Sequence, residues 1–187
     1  FVLLDPKTLA IIGIELSMAI LRESIRSDRG GIRADFIAGV PNAGTPIAGA
    51  FCEEIRRISH HVVFPVKPDL IYLVKLLRDG KRAGFDISPE SREKAAGGGR
   101  VILVDDLITR AHSKMLAIRK LEEAGLEVSA VLVVVDRMQG GAEEMSRAGY
   151  RTIWALDIER LLYFYCREKM ISMAEYDEFA RYLQANY

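Results

Sequence analysis

The sequence has little of what marks a secreted, membrane-bound or nucleic-acid-binding protein. Its 187 residues include two cysteines, Cys52 and Cys166, which lie far apart and outside any His/Cys ligand spacing, so we expect neither a disulfide framework nor a zinc site. No apolar run approaches the length of a membrane span. The 26 basic residues balance the 26 acidic ones, so no overall field would attract nucleic acid. We therefore expect a cytoplasmic protein without a membrane or nucleic-acid partner.

Apolar, β-branched runs alternate along the chain with stripes of apolar residues at helical spacing. This alternation predicts a single α/β domain over residues 1–187, with a parallel sheet flanked by helices. The predicted strands are 35–40, 61–66, 70–75, 101–104, 128–135 and 151–156. The predicted helices are 9–25, a helix from the 41–46 loop to about 58, 114–124, 142–148, 158–167 and 173–185.

Residues 77–99 have a different composition from the rest of the chain. Charged residues crowd this stretch, which also contains Pro89 and five glycines. Such a composition predicts a long flexible loop, which we interpret as a mobile flap near the ligand.

The stretch RVILVDDLITRAHS, residues 100–113, orders a buried strand, an acidic pair, a hydroxyl-bearing turn and a helix. In an open α/β sheet this junction lies at the carboxyl edge, where ligands bind. The start of the helix can hold a phosphate on its backbone N–H groups, with hydroxyls from Thr109 and Ser113. Asp105 or Asp106 can accept hydrogen bonds from sugar hydroxyls. The pattern indicates a sugar phosphate, although carboxylates at a strand end also serve simply to cap the turn.

Three segments together resemble the orotate phosphoribosyltransferases, members of the type I phosphoribosyltransferase family. They are VILVDDLIT at 101–109, VDRMQGG at 135–141 and AGVPNAGTPIA at 38–48. The resemblance implies a type I phosphoribosyltransferase-like sheet and a homodimeric enzyme of pyrimidine nucleotide synthesis. It would transfer the phosphoribosyl group of phosphoribosyl pyrophosphate (PRPP) to orotate, giving orotidine 5′-monophosphate and pyrophosphate. Mg²⁺ would be held through PRPP, with no direct protein ligand.

The resemblance also implies a role for each site residue. Asp105 and Asp106 would hold the ribose, and Arg137 the carboxylate of the base, although Arg137 also suits a surface ion pair with Asp136 or Glu143. Arg78 and Lys75 would act in catalysis together with the two aspartates. The phosphate-binding residues would be Thr109, Arg110, Ala111, His112 and Ser113, and the pyrophosphate-binding residues Ala43, Gly44, Thr45 and Lys75. The 43–45 loop alone also suits a plain Pro/Gly connector.

The chain departs from the family pattern at three places. Arg110, Ala111 and His112 stand where the family usually has glycine. Arg78 replaces the second lysine of the family's catalytic segment, whose first arginine and histidine are absent here. The family's N-terminal orotate-contacting segment is not evident. These departures leave open a non-catalytic PRPP- or nucleotide-binding regulatory paralogue, or a phosphoribosyltransferase for another base.

Overall fold

The computed structural model describes residues 5–26, 32–58, 67–78 and 81–185. Within them lie the strands β1 (Phe36–Gly39), β2 (Asp69–Arg78), β3 (Lys81–Ile87), β4 (Gly99–Ile108), β5 (Leu126–Asp136) and β6 (Thr152–Asp157). The helices are α1 (Pro6–Arg26), α2 (Gly44–Ile58), α3 (Pro89–Ala95), α4 (His112–Glu123), α5 (Gly141–Arg147), α6 (Ile158–Arg167) and α7 (Met173–Ala185). None of the helices in these ranges is long and apolar enough to cross a bilayer. The predicted strand 61–66 lies outside the described residues.

The strands form one sheet in the order β3-β2-β1-β4-β5-β6. All neighbouring pairs are parallel except β2 and β3, which are antiparallel. The short strand β1 lies between β2 and β4 and pairs with both, Gly39 opposite Tyr72 on one side and Val104 on the other. The predicted sheet of mainly parallel strands flanked by helices is confirmed.

Alternate side chains of the strands point into two apolar layers, because successive residues of a strand face opposite sides of a sheet. On β4, Val101 and Leu103 pack with α4 and α5, whereas Ile102 and Val104 pack with α1 and α2. All four side chains are fully buried. This two-sided burial explains the unbroken apolar run before the acidic pair, since neither face of the strand meets water.

The prediction of a long loop over residues 77–99 was wrong. This segment contains the end of β2, the strand β3 and the helix α3, while residues 79–80 lie outside the described part. Phe85 and Ile87 of β3 are buried in the core, and Ser88 accepts a hydrogen bond from the Ser91 N–H at the start of α3. The prediction failed because the many charged residues suggested a loop. The segment instead forms a short strand in which alternate apolar residues pack into the core.

The sequence predicts helix N-caps at Asp157 and at Ser172, the latter with Glu175 in an approximate capping box, and the structure confirms both. The Asp157 carboxylate accepts the Arg160 N–H at 2.7 Å. Ser172 and Glu175 form a reciprocal capping box, in which each side chain accepts the backbone N–H of the other residue. These bonds satisfy donors that the first turn of a helix otherwise leaves without partners.

Candidate active site

The acidic pair lies where β4 extends beyond its neighbour β1. We expected the strand to end at Val104, but β4 continues to Ile108. The pairing with β1 stops at Val104, whereas the pairing with β5 runs on to Ile108. Asp105 and Asp106 therefore lie on a strand that is paired on one side and open on the side of β1.

Asp105 is enclosed, and both of its carboxylate oxygens have partners inside the protein. The residue is 6% exposed. Its Oδ2 lies 2.7 Å from Nζ of Lys114, and its Oδ1 accepts the Asp106 N–H at 2.9 Å. Burial raises the pKa of Asp105 to about 6, although the Lys114 ammonium opposes this rise. At neutral pH the buried pair is mainly ionic.

Lys114 is a site residue that the sequence analysis missed. The helical spacing of Met115, Ile118, Leu121 and, more weakly, Glu122 predicts that they form the inner stripe of α4. The buried residues are instead Lys114, Ala117, Ile118 and Leu121. The Lys114 side chain contacts the Leu107 carbonyl as well as Asp105. The signal in the sequence was the spacing of Lys114, which places it on the same helix face as Ala117, Ile118 and Leu121. It also follows the two carboxylates closely in sequence.

Asp106 is the more accessible carboxylate of the pair. It is half-buried, and its Oδ1 accepts the Leu107 N–H at 2.8 Å. No described residue donates a hydrogen bond to its Oδ2. Asp106 therefore offers an acceptor to a ligand at the carboxyl edge.

The predicted pyrophosphate loop packs directly against the acidic pair. Ala43 and Thr45 are half-buried and flank Gly44, the first residue of α2. A Cβ at Gly44 would lie 2.6 Å from the Val104 carbonyl oxygen and 3.1 Å from Asp105 Oδ1. Glycine is required here because the backbones approach too closely for a side chain. The N-terminal end of α2 thus meets the open side of β4, in a position to hold an anion on its N–H groups.

The predicted phosphate loop connects β4 to α4 and is tied to α5. The Ala111 N–H donates to Glu144 Oε2 at 2.9 Å, and Arg110 lies 3.3 Å from Oε1 of the same carboxylate. Ala111 is buried, Arg110 and His112 are exposed, and Thr109 and Ser113 are half-buried. Glu144 was not predicted as a site residue, because it lies 33 residues from Ala111 in sequence. One backbone donor of this loop is therefore already used by an internal anion.

The VDRMQGG segment adjoins the phosphate loop. The Arg137 N–H donates to the Ile108 carbonyl at 3.0 Å. A Cβ at Gly141 would lie 2.6 Å from Cγ1 of Ile108, so this glycine permits close packing. Arg137 also lines a cavity of about 540 Å³ together with residues of α6 and α7, among them Phe179 and Tyr182. A cation and aromatic rings therefore border one cavity beside the loop.

Lys75 and Arg78 lie apart from the other predicted site residues. Both lie on β2 beyond Tyr72, the last residue that pairs with β1. At about 3.3 Å per residue, Arg78 lies about 20 Å beyond Tyr72 along the strand, and Lys75 about 10 Å. Lys75 is half-buried, and Arg78 is exposed at the end of the strand. The hairpin of β2 and β3 carries both residues past the carboxyl edge of β1.

The acidic pair offers one accessible carboxylate, that of Asp106, which could contact a cation. Among the described residues, no group of three or more His, Cys, Asp or Glu side chains could hold a metal. Mg²⁺ commonly binds through one or two carboxylates, water and substrate phosphates. The Asp106 carboxylate fits a contact of this kind, directly or through water.

Comparisons with known proteins identify the family. No family model matches the sequence. An orotate phosphoribosyltransferase from Bradyrhizobium sp. (strain ORS 278) is 31% identical over 147 residues, which are 79% of this chain and 71% of that protein. The chain belongs to the orotate phosphoribosyltransferase family. The resemblance drawn from the three segments is thereby confirmed.

Solved structures agree with this family. Leishmania donovani UMP synthase matches with a TM-score of 0.69 and 26% identity, over 96% of this chain and 34% of that chain. The orotate phosphoribosyltransferase of Mycobacterium tuberculosis, in complex with PRPP, matches with a TM-score of 0.55 and 25% identity, over 83% of this chain and 76% of that chain. Family members are thus phosphoribosyltransferase enzymes with this fold.

Proposed function

We propose that this chain transfers the phosphoribosyl group of PRPP to orotate, with release of pyrophosphate, in pyrimidine nucleotide synthesis. The observation that carries the proposal is the adjacency of the three segments at one sheet edge. Gly44 packs on Val104 and Asp105, and Gly141 packs on Ile108. Loops following three neighbouring parallel strands, β1, β4 and β5, thus meet at the end of β4 that carries the acidic pair. A relative of known structure binds PRPP, which supports this ligand.

In the proposed reaction, positive charge develops on the ribose and negative charge on the leaving pyrophosphate, so catalysis is mainly positioning and electrostatic stabilisation. Asp106, with Asp105 behind it, would hold the ribose hydroxyls, and Arg137 the orotate carboxylate. Residues 109–113 would hold the 5-phosphate, and residues 43–45 with Lys75 the pyrophosphate. Mg²⁺ bound through PRPP would neutralise charge on the pyrophosphate.

The hairpin of β2 and β3 supports the proposal of a homodimer. Four apolar side chains at its end of β2 are at least 40% exposed, namely Tyr72, Val74, Leu76 and Leu77. A strand that projects past the edge with exposed apolar residues suits a contact with a second copy. Arg78 would then act in the partner's site, where its permanently charged guanidinium would neutralise pyrophosphate without donating a proton.

A second candidate is a regulatory protein that binds PRPP or a nucleotide without turnover. The hydrogen bond from the Ala111 N–H to Glu144 favours it, because a carboxylate already occupies one donor of the phosphate loop. A different acceptor base is the third possibility.

The balanced charge and the two free cysteines support a cytoplasmic protein without a nucleic-acid or membrane partner.

Calorimetric titration with PRPP and Mg²⁺, followed by an assay of orotate consumption, tests the proposal. We expect saturable binding and turnover in the wild type, and Asp106→Asn should lose both. Asp69→Asn is the matched control, because this exposed carboxylate lies at the opposite edge of the sheet, on β2, which β1 separates from β4, and pairs with Arg56. Binding without consumption of orotate would favour the regulatory protein, unless another base is consumed. Absence of PRPP binding would overturn the enzyme and the PRPP-binding regulatory protein alike.

A further inference from the structure

We infer that Lys114 is a positioning residue of the PRPP site, which fixes Asp106 by holding both of its chain neighbours. The inference rests on the proposed function. Lys114 contacts the Asp105 carboxylate at 2.7 Å and also the Leu107 carbonyl. One ammonium group thus binds the residue on each side of Asp106. Since Asp105 Oδ1 in turn accepts the Asp106 N–H, the backbone of Asp106 is held from the interior.

The position of Lys114 is unfavourable for a lysine that has no such role. Its side chain is 5% exposed and belongs to the stripe of α4 that packs on the sheet, where Ala117, Ile118 and Leu121 are fully buried. It also lies in the first turn of the helix, where the helix dipole disfavours a cation. A buried ion pair is commonly no more stabilising than apolar residues of similar volume. Packing alone therefore does not account for a lysine here.

The ion pair also sets the charge that a ligand meets. PRPP is a polyanion, and two adjacent carboxylates would repel it. Lys114 balances the charge of Asp105, so that the acidic pair presents about one net negative charge at Asp106. The same contact therefore orients the ribose acceptor and reduces the repulsion of the phosphates.

Three variants test the inference: Lys114→Met, Asp105→Asn and the double variant. Methionine has a similar length but cannot donate hydrogen bonds. Lys120→Met is the matched control, since Lys120 is on the same helix but does not contact the acidic pair. Its Nζ lies 3.0 Å from Oε2 of Glu123. For each protein, thermal unfolding, the dissociation constant of PRPP with Mg²⁺, and separate KM and kcat values are measured.

If Lys114 positions Asp106, Lys114→Met weakens PRPP binding by about 10- to 100-fold, as loss of a supporting contact does in other sites. The loss appears mainly in KM for PRPP. In the double variant thermal stability recovers, because no unpaired charge is left inside, but PRPP binding stays weak. Adding Lys114→Met to Asp105→Asn then causes little further loss of binding, since both act through the same contact.

Two results would overturn the inference while leaving the proposed function intact. One is a folded Lys114→Met protein that binds PRPP as the wild type does. The other is recovery of PRPP binding together with stability in the double variant, which would show a purely structural pair. If Lys114→Met does not fold, the double variant is compared with Asp105→Asn, and tighter PRPP binding in the double variant overturns the inference. A wild type that binds no PRPP would instead overturn both the proposed function and this inference.

Discussion

Asp105 on β4 and Arg78 on β2 both carry charges that we assign to the handling of PRPP, but their surroundings are opposite. Asp105 is 6% exposed, and both of its carboxylate oxygens contact groups of the same chain. Arg78 is exposed, and its neighbour Leu77 is 66% exposed. One region has satisfied its polar groups internally, whereas the other presents charge and apolar surface together.

This difference separates two ways of building a site. The edge of β4 is preformed, because its charges are balanced and its loops are packed before any ligand arrives, which reduces the reorganisation needed on binding. The exposed apolar side chains of the β2–β3 hairpin, Val74, Leu76 and Leu77, would be buried only by a contact from outside the described residues. Substitutions at the edge should therefore change ligand binding, and substitutions on the hairpin should change assembly.

The largest effect is expected from Gly44→Ala, which attacks the preformed edge. The new Cβ would meet the Val104 carbonyl oxygen at 2.6 Å, so either the loop or β4 must shift. We expect a loss of about 2–3 kcal/mol of unfolding free energy, and about 100-fold weaker PRPP binding from the displaced loop. Denaturant unfolding and calorimetry measure the two effects.

Gly49→Ala on the same helix is the control for Gly44→Ala. Apart from its chain neighbours and the backbone of its own helix, no atom of the described residues lies within 4 Å of a Cβ at Gly49. Alanine should stabilise the helix by about 0.5–1 kcal/mol and leave PRPP binding unchanged. Equal effects of the two substitutions would contradict the close approach at Gly44.

The burial of Asp105 predicts a pH dependence of stability. Because its pKa is raised to about 6 in the folded protein, the unfolded chain loses this proton first as the pH rises from about 4. The wild type should therefore lose up to about 3 kcal/mol relative to Asp105→Asn between pH 4 and pH 6. Above that window the difference should be constant. Urea unfolding of both proteins across this range measures the effect. A wild type that gains unfolding free energy relative to Asp105→Asn as the pH rises would contradict the prediction.

On the hairpin, Leu76→Asp should disrupt assembly without unfolding the chain. Leu76 is 43% exposed, so the substitution should change the stability of the folded chain by less than about 1 kcal/mol. A charge in an apolar contact should nevertheless dissociate the proposed dimer. Sedimentation velocity shows this as a shift to monomer. Met170→Asp is the control, because Met170 is also an apolar residue and is 66% exposed. A wild type that is monomeric at all concentrations would refute the proposed contact.

The smallest expected effect is that of Glu144→Gln. Glutamine keeps an acceptor for the Ala111 N–H but removes the charge beside the phosphate loop. We expect PRPP to bind a few-fold more tightly, because an exposed charge contributes about 1 kcal/mol or less. Glu143→Gln on the same helix controls for the change in net charge. Weaker binding in Glu144→Gln would show that the carboxylate supports the loop instead.

Most of the sheet and the position of the acidic pair could be predicted from the sequence. Val101 to Val104 had to be buried on both faces, and the caps at Asp157 and Ser172 depend on residues within one helical turn. Such features are local and can be read from spacing. The roles of the individual site residues remain predictions.

The parts that sequence reasoning missed depend on contacts between distant segments. Strand β3 owes its place to antiparallel pairing with β2 and to the burial of Phe85 and Ile87. The burial of Lys114 depends on the carboxylate of Asp105 below it, and a lone lysine is ordinarily exposed. Glu144 reaches Ala111 only after α5 has packed against the loop that follows β4. Contacts of this kind cannot be predicted from a local sequence pattern.

The position of β4 between β1 and β5 has a kinetic consequence. Phe36 of β1 pairs with Val101 of β4, 65 residues later in the chain, so the edge at Asp105 forms only after a large loop has closed, a slow class of folding event. A ligand that needs β1 and β4 together cannot bind earlier forms. PRPP should therefore slow unfolding while leaving the refolding rate almost unchanged.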